Sequence, residues 1–413
     1  MRPQSLFSIA LSTLLLSFLF ACGGSSGNSN NSGSGNPPGT GSNSGGGSPG
    51  GSGSGGGGAT VPQEFLYASL PSSNSIAAFQ IDTNTGALTA VSGSPFAATG
   101  QSPMGLAVHP SGKFLYGVNP QSPNGQGDLG AISAYNIASN GVLTPNGEEV
   151  KTGSGIEPFA VAVSSNGQFV YTVAGLSSVP SGYTVDATTG QLTPMSTARA
   201  DFQDLFSAGG LLVSDSFVYE SFLNGVDAFP IGPDGKLTDT SDMPALSVGF
   251  GVGRMAFGPG QKFIYAIGTG QQLRPDPSLP GTLVSIAVSS TGALSLLGTP
   301  LPFQDGSDVA VNGNFLYALN KDGVSVFAID PNSGAVTQVQ GSPFALPNQF
   351  GLLHVDPSGK FLYVATAGFL SKTGSASSIA VFSIDSAGGL QPVQGSPFTV
   401  PGAVGGFASV AVQ

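Results

Sequence analysis

From residue 60 onwards, the chain consists of short apolar runs that are rich in β-branched and aromatic residues and are bounded by Gly, Pro and Asn. Such runs are typical of β-strands, and no stretch in this region sustains the 3.6-residue apolar period of a helix. In one unit, strands are predicted over 105–108, 114–118, 132–137 and 142–144, with a tight Pro-Ser-Gly turn after the first. The pattern therefore predicts an all-β protein with essentially no helix.

Two motifs show that this unit repeats along the chain. A Phe-x-Tyr motif opens the predicted second strand of each unit, and its tyrosines are 46 to 55 residues apart: Tyr67, Tyr116, Tyr171, Tyr219, Tyr265, Tyr317 and Tyr363. A second motif, a third strand followed by a turn with Gly, occurs at 76–89, 132–144, 182–193, 226–238, 283–295, 324–337 and 379–391. The Gly suits a turn position that needs a positive φ. Seven copies of each motif predict a seven-bladed β-propeller of four-stranded blades.

The two ends of the repeat region predict how the ring closes. The first unit begins at Phe65 without the strand that precedes this motif elsewhere, and the last residues, 407–413, match 159–163 of the third unit. We expect the C-terminal strand to enter blade one, because the ring then leaves no open sheet edge.

A third motif, Gly-Ser-Pro-Phe, occurs at 93–96, 341–344 and 395–398, and a looser version ends at Phe303. Its predicted role is structural. Pro would stiffen the exit from the fourth strand, and Phe would pack between blades.

The N-terminus has the features of an export signal. Arg2 precedes an apolar run over 6–20, which is short for a membrane-spanning helix, and residues 19–22, Leu-Phe-Ala-Cys, resemble the lipobox of bacterial lipoproteins. The resemblance implies a lipidated Cys22, and Gly23 after it favours the outer membrane. An ordinary cleaved signal with an incidental Cys is the alternative. Three segments are thus predicted: a signal peptide over 1–22, a disordered Gly/Ser-rich linker over 23–59 and the propeller over 60–413.

Composition narrows the range of partners and cofactors. The net charge is −11 and the 11 basic residues form no run, so nucleic acid is not an expected partner. The one Cys excludes an internal disulfide framework and a Cys-based metal site. The two His make a His-rich zinc site improbable, and no cofactor is expected. With 40% hydrophobic residues and 27 Phe, the chain can form a large core.

The PSGKFLY and TGxL repeats over 60–413 resemble the lactonase family of seven-bladed propellers, which includes 6-phosphogluconolactonase-like and carboxymuconate-cyclase-like enzymes, and equally the surface propellers named for a Tyr-Val-Thr-Asn repeat. The resemblance implies an Arg-His pair at the start of a middle blade, a Glu at the end of the following strand and a His early in blade three. Here Arg254 is present, but Met255 follows it, 263–268 has no Glu, and Phe159 occupies the place of the second His.

Because neighbouring strands of a blade are antiparallel, successive connections lie on opposite faces of the propeller. The turns after strands one and three are short and repetitive, whereas longer, variable connections, at 120–130, 175–181, 269–281 and 366–378, lie on the opposite face. Binding residues concentrate on variable loops of a rigid scaffold, so we expect any site on this long-loop face, near the central channel.

Two residues are candidates for catalysis or ligand binding. Arg254, at the long-loop end of an inner strand, could anchor a ligand, or form a salt bridge to Asp305 or Asp308. His354 lies where other units carry Ala107, Ala162, Ala256 and Ala411, and could act as a base in the channel or be a packing residue. His109 belongs to the short-turn face and is expected to be structural.

The expected long-loop face is mixed in charge. Its acidic residues are Asp128, Glu157, Asp201, Asp204, Asp276, Asp305, Asp308 and Asp322, and its basic residues are Arg199, Arg274, Lys321 and Lys372. Carboxylates could hold Ca²⁺ there, but no spaced calcium loop supports this, and a solvated rim is the simpler interpretation. Lys113, Lys262 and Lys360 lie in turns of the opposite face.

The sequence thus predicts a monomeric, lipid-anchored envelope propeller that binds a small molecule or an envelope protein on its long-loop face. Lactone hydrolysis through Arg254 and His354 is the alternative function. An extracellular structural protein without a small ligand is a third, and it predicts a channel mouth without convergent polar groups.

Overall fold

The computed structural model describes residues 63–120, 130–152, 158–174, 180–195, 207–238, 246–268, 281–346, 350–367, 378–400, 403 and 409–413. All of them belong to the compact unit Val61–Gln413, one of two into which the chain divides. The described residues of this unit form β-strands, turns and two single 3₁₀ turns, at Pro71–Ser73 and Pro259–Gln261. Among the described residues, no helix has the length and apolarity needed to cross a membrane.

Seven antiparallel sheets form the blades of the propeller, as the two sequence motifs predict. Blade one contains β1 (Glu64–Leu70), β2 (Ser75–Ile81), β3 (Leu88–Ala90) and β4 (Phe96–Ala97), and blade two contains β5 (Leu106–Val108), β6 (Phe114–Asn119), β7 (Ala131–Ile137), β8 (Leu143–Pro145) and β9 (Val150–Lys151). Blade three contains β10 (Pro158–Val163), β11 (Phe169–Ala174), β12 (Ser181–Val185) and β13 (Leu192–Pro194), and blade four contains β14 (Ser207–Val213), β15 (Phe217–Phe222), β16 (Gly225–Pro230) and β17 (Leu246–Ser247).

The remaining three blades and the C-terminal strand complete the ring. Blade five contains β18 (Val252–Phe257), β19 (Phe263–Gly268), β20 (Thr282–Val288), β21 (Leu294–Leu296) and β22 (Leu301–Pro302), and blade six contains β23 (Asp308–Asn312), β24 (Phe315–Asn320), β25 (Gly323–Ile329), β26 (Val336–Gln338) and β27 (Phe344–Ala345). Blade seven contains β28 (Phe350–Val355), β29 (Phe361–Ala367), β30 (Ser378–Ile384), β31 (Leu390–Pro392) and β32 (Phe398–Thr399), and the C-terminal strand is β33 (Val410–Val412).

The predicted closure is confirmed. Strand β33 pairs antiparallel with β1, with Val412 opposite Leu66 and Val410 opposite Ala68. Backbone N–H groups extend the pairing at both ends, because Ser69 donates to the carbonyl of Ser409 and Gln413 donates to that of Phe65. The last strand of the chain is therefore the inner strand of blade one.

The Phe-x-Tyr motif holds neighbouring blades together. Each Phe packs on the Gly of the turn after the third strand of the next blade, in the pairs Phe65–Gly141, Phe114–Gly190, Phe169–Gly235, Phe217–Gly292, Phe263–Gly334, Phe315–Gly388 and Phe361–Gly86. These glycines have φ of 72–80°, and an added Cβ would lie 2.2–2.5 Å from the ring, so both backbone and packing require Gly. Burial of each ring stabilises the blade contact by about 1.5–3 kcal/mol.

The tyrosines of the motif are fully buried and add polar contacts between the same blades. Five of them donate their hydroxyl to the carbonyl of the same Gly in the next blade: Tyr67 to Gly141, Tyr116 to Gly190, Tyr171 to Gly235, Tyr265 to Gly334 and Tyr317 to Gly388. The motif therefore serves blade packing, on the short-turn face.

The Gly-Ser-Pro-Phe motif interrupts the outermost strand, where the sequence predicts an exit from it. In blades one, two, five, six and seven, a second short strand pairs with the third strand beyond the break. The Ser hydroxyl accepts the third-strand N–H that the break leaves open, from Ala78 to Ser94, from Val326 to Ser342 and from Val381 to Ser396. Phe96, Phe344 and Phe398 pack against clusters that span two blades, as expected.

Candidate functional site

The inner strands of the seven blades line a cavity of about 430 Å³ in the central channel. Each inner strand pairs with one neighbour only, so N–H and C=O groups of alternate residues on its free edge point into the channel. Two of these N–H groups have side-chain acceptors in the preceding blade. Leu106 donates to Ser409 Oγ at 3.0 Å, and Leu353 donates to Asp308 Oδ2 at 2.8 Å.

The strand registers place the channel residues of different blades at two common levels. The residues that pair with the seven motif tyrosines form the His354 level: Ala107, Ala162, Leu212, Ala256, Ala310, His354 and Ala411. The residues two positions earlier form the Arg254 level, and all seven line the cavity: Gly105, Ala160, Gly210, Arg254, Asp308, Leu352 and Ser409. The two sequence-predicted candidates therefore face one cavity, from blades five and seven.

Asp308, in the intervening blade six, is the carboxylate of the Arg254 level. It is buried, and each of its oxygens accepts a backbone N–H at 2.8 Å, Oδ1 from Val309 and Oδ2 from Leu353. Burial raises the pKa of the Asp308 carboxyl, while the charge of Arg254 and these two donors lower it. Burial is the largest of these effects, so the pKa of the Asp308 carboxyl lies above its ordinary value.

Arg254 is half-buried in the cavity wall, and its charge stabilises the Asp308 carboxylate. The other acidic residue that the sequence offered as its partner, Asp305, forms an ion pair with Lys321 at 3.3 Å on the surface. Of these two carboxyl groups, Asp308 is the one whose pKa the charge of Arg254 lowers. This interaction does not preclude ligand binding, because Arg254 still lines the cavity.

His354 is the single ionisable residue of its level, between small or aliphatic neighbours. Its ring retains partial access to the cavity but is surrounded by protein, and this burial lowers the pKa of the imidazole to about 4, although the charge of Asp356 opposes the shift. The imidazole is therefore neutral near pH 7. A neutral imidazole has one donor and one acceptor nitrogen, so it can hold a hydroxyl or carbonyl group of a ligand.

Sequence reasoning missed two roles at this site. The sequence suggests Asp308 only as a salt-bridge partner of Arg254 and as an acidic residue of the long-loop face, and it does not single out Ser409. Both residues nevertheless bond to the free edge of the next inner strand. Their position in the repeat was the available signal. Both residues lie two positions before the residue of the His354 level in their own strand, as Arg254 does. Without the register, nothing in the sequence shows that their side chains reach across to another blade.

Most of the other predicted surface residues cannot be placed relative to this site. Asp128, Glu157, Asp201, Asp204, Asp276, Arg199, Arg274 and Lys372 lie outside the described residues, as does Cys22. Asp322 contacts Lys321 at 3.4 Å. Within the described part of the chain, no group of three or more His, Cys, Asp or Glu could hold a metal ion.

The short-turn face carries the remaining candidates. Lys113, Lys262 and Lys360 are exposed there. His109 is buried between blades two and three, where its Nε2 donates to the carbonyl of Gly167 at 2.8 Å and its Nδ1 accepts the N–H of Ser111 at 3.1 Å. These contacts agree with the structural role that the sequence predicts for His109.

Comparison with known proteins gives a family match over part of the chain. Residues 59–127 match the family model described as lactonase, 7-bladed beta-propeller. The predicted resemblance to the lactonase-like propellers is confirmed. No curated protein matches the sequence significantly.

Solved structures share the fold of this propeller over most of the chain. A candidate 6-phosphogluconolactonase from Bacteroides uniformis is 18% identical with a TM-score of 0.66, and covers 86% of this chain and 100% of its own. One from Bacteroides fragilis is 20% identical with a TM-score of 0.65, covering 86% and 99%. The periplasmic gluconolactonase of Pseudomonas aeruginosa is 20% identical with a TM-score of 0.61, covering 85% and 99%. At these identities the comparison establishes the fold alone.

Proposed function

We propose that this lactonase-like propeller is an exported envelope protein that binds a small polar molecule in its central channel. The observation that carries the proposal is the cavity of about 430 Å³ whose wall combines Arg254, His354 and free backbone N–H and C=O groups with apolar side chains. Binding sites for small molecules typically have volumes of roughly 300–1,000 Å³, mostly apolar walls and a few convergent polar groups. A purely structural protein would not need such polar groups.

Attachment to the envelope through Cys22 is part of the same proposal and is supported by the sequence alone. The lipobox-like residues before Cys22 and the Gly/Ser/Asn-rich stretch after it are suited to tethering a folded domain to a membrane surface. Gly23 supports the outer membrane as the destination.

The anchor can be tested by labelling bacterial cells that express the full chain with radioactive palmitate. We expect label on the wild-type protein, which should sediment with the membranes, and none on Cys22→Ser. Wild-type protein without label, or a labelled Cys22→Ser variant, would refute lipidation at Cys22.

Hydrolysis of a lactone is the second candidate function, favoured by the match of residues 59–127 to the lactonase family model. In such a reaction water would add to the lactone carbonyl, the ring C–O bond would break, and the proton from water would reach the departing alkoxide. Arg254 could stabilise the developing oxyanion, and His354 could accept the proton from water. Its pKa of about 4 makes His354 a weak base, so binding without turnover is the better supported function.

A panel of lactones headed by gluconolactone separates the two functions. Binding is measured by calorimetry and hydrolysis by proton release, with the wild type, Arg254→Met and the exposed control Lys262→Met. We expect binding that weakens about tenfold or more in Arg254→Met, from the loss of a charge-assisted hydrogen bond, and is unchanged in Lys262→Met.

Turnover that disappears in Arg254→Met would establish the lactonase. Absence of binding by any member of the panel would refute the proposed site.

A further inference from the structure

The side chains of the channel wall are mostly apolar on the short-turn side of the Arg254 level. At the His354 level, His354 is accompanied by five Ala and one Leu. The residues one position later along the inner strands, here called the valine level, are all apolar and partly exposed. They are Val108, Val163, Val213, Phe257, Val311, Val355 and Val412.

Residues of both apolar levels contribute to the cavity itself. Phe257, Val311 and Val355 of the valine level line it, from blades five, six and seven. Ala256 and Ala310 of the His354 level line it in blades five and six. Apolar surface gains free energy when an apolar group rather than water covers it, so this part of the wall favours an apolar ligand group.

Polar side chains of the wall are concentrated at the Arg254 level. Arg254, Asp308 and Ser409 belong to it and line the cavity, and Arg254 is partly exposed. The valine level lies three residues further along each inner strand, about 10 Å away. The side chains therefore give the cavity a polar end towards the long-loop face and an apolar end towards the short-turn face.

We propose that the channel ligand is amphipathic, with a polar group at the Arg254 level and an apolar part that extends along the His354 and valine levels. A ligand that is polar throughout would gain little at the apolar end, because its hydroxyl groups would give up hydration to cover apolar side chains. His354 can exchange a hydrogen bond with the ligand where its two parts meet. This inference rests on the proposed function, and it adds the apolar part of the ligand and the direction in which that part lies.

A series of γ-lactones with one polar ring and a growing alkyl chain tests this inference. The ligands are γ-butyrolactone, γ-hexalactone and γ-octalactone, and calorimetry gives the dissociation constant of each. We expect the affinity of the wild type to increase about fivefold or more with each step, because the added carbon atoms bury apolar surface. The heat-capacity change of binding should become more negative along the series.

Two variants alter the apolar end, and the measured quantity is the ratio of the dissociation constants of γ-butyrolactone and γ-octalactone. Ala256→Leu places in blade five the residue that Leu212 supplies in blade four, and it should lower the ratio about fivefold or more by filling the space for the chain. Val311→Thr keeps the shape of the side chain but adds a hydroxyl group, and should lower the ratio about threefold. Ala97→Leu, at an exposed position of β4, is the matched control and should leave the ratio unchanged.

The outcomes separate this inference from the proposed function. Equal wild-type affinities along the series, or a ratio that is unchanged in the folded channel variants, would overturn the inference and leave binding of a polar group in the channel intact. The inference alone also fails if gluconolactone binds and no γ-lactone does, whereas both proposals fail if none of them binds. Circular dichroism checks that the variants fold, and if Ala256→Leu does not, Val311→Thr decides the question.

Discussion

His354 is an ionisable residue at a position where the other blades have Ala or Leu. It replaces an Ala of the inner strand and is neutral in the folded protein, with a pKa of about 4 against an ordinary value of 6.5. Between these two values the unfolded chain binds a proton that the folded chain does not. Stability is therefore unaffected by this group above about pH 6.5, and falls as the pH decreases towards about 4, by up to about 3 kcal/mol.

This dependence predicts a specific difference between two proteins. His354→Ala restores the residue found at Ala107, Ala162, Ala256 and Ala411, and lacks the titrating group. Between about pH 7 and about pH 5, the wild type should lose about 2 kcal/mol more free energy of unfolding than the variant, measured by urea denaturation. The contribution of the other titrating groups is common to both proteins. Equal losses would show that His354 is not buried as a neutral imidazole.

The sequence predicted two of the residues that line the cavity, but not the contacts of the third. The unusual positions of Arg254 and His354 follow from aligning the repeats, and the structure places both on the cavity. The role of Asp308 could not be predicted in the same way. Its bonds to Val309 and Leu353 depend on which backbone groups of two adjacent blades are free, and this is a property of register and blade packing.

At the scale of strands and turns, the repeat motifs predicted most elements correctly, because each motif residue occupies a position with strict packing or backbone requirements. The Phe-x-Tyr strands and the turns with Gly are fixed by contacts between blades, so both recur in all seven. In the second unit, the predicted strands 105–108, 114–118, 132–137 and 142–144 differ from β5, β6, β7 and β8 by a residue at their ends.

The outer strands were predicted less completely. Sequence placed one fourth strand in each blade, whereas five blades contain a second short piece beyond a break. The Ser of the Gly-Ser-Pro-Phe motif bonds to the third strand at that break, as Ser342 does to Val326. A two-residue strand such as Phe344–Ala345 carries too little periodicity to be recognised without its partner.

For the whole molecule, stability depends on closing the ring with a strand from the other end of the chain. Strand β33 covers the edge of β1, and Ser409 also supplies an acceptor for Leu106 of blade two. Deletion of residues 409–413 would expose this edge and leave the buried backbone groups of Phe65 and Ser69 without partners. We expect the deletion to abolish a cooperative unfolding transition and to cause aggregation.

The matched control for the deletion is Gln413→Ala. It retains β33 but loses the hydrogen bond from the Gln413 side chain to the carbonyl of Gly112, so a cooperative transition should remain, with a loss of about 1 kcal/mol. Thermal unfolding followed by circular dichroism distinguishes these cases. A truncated protein that melts like the wild type would contradict closure by β33.

We propose that the channel between the inner strands binds a small polar molecule. The most direct measurement is a crystal structure of the protein with the tightest-binding member of the ligand panel. We predict electron density for one molecule in the channel, with a polar atom within hydrogen-bonding distance of Arg254 and a second group against His354. Density for the bound molecule elsewhere on the propeller, with the channel occupied by solvent alone, would refute binding in the channel.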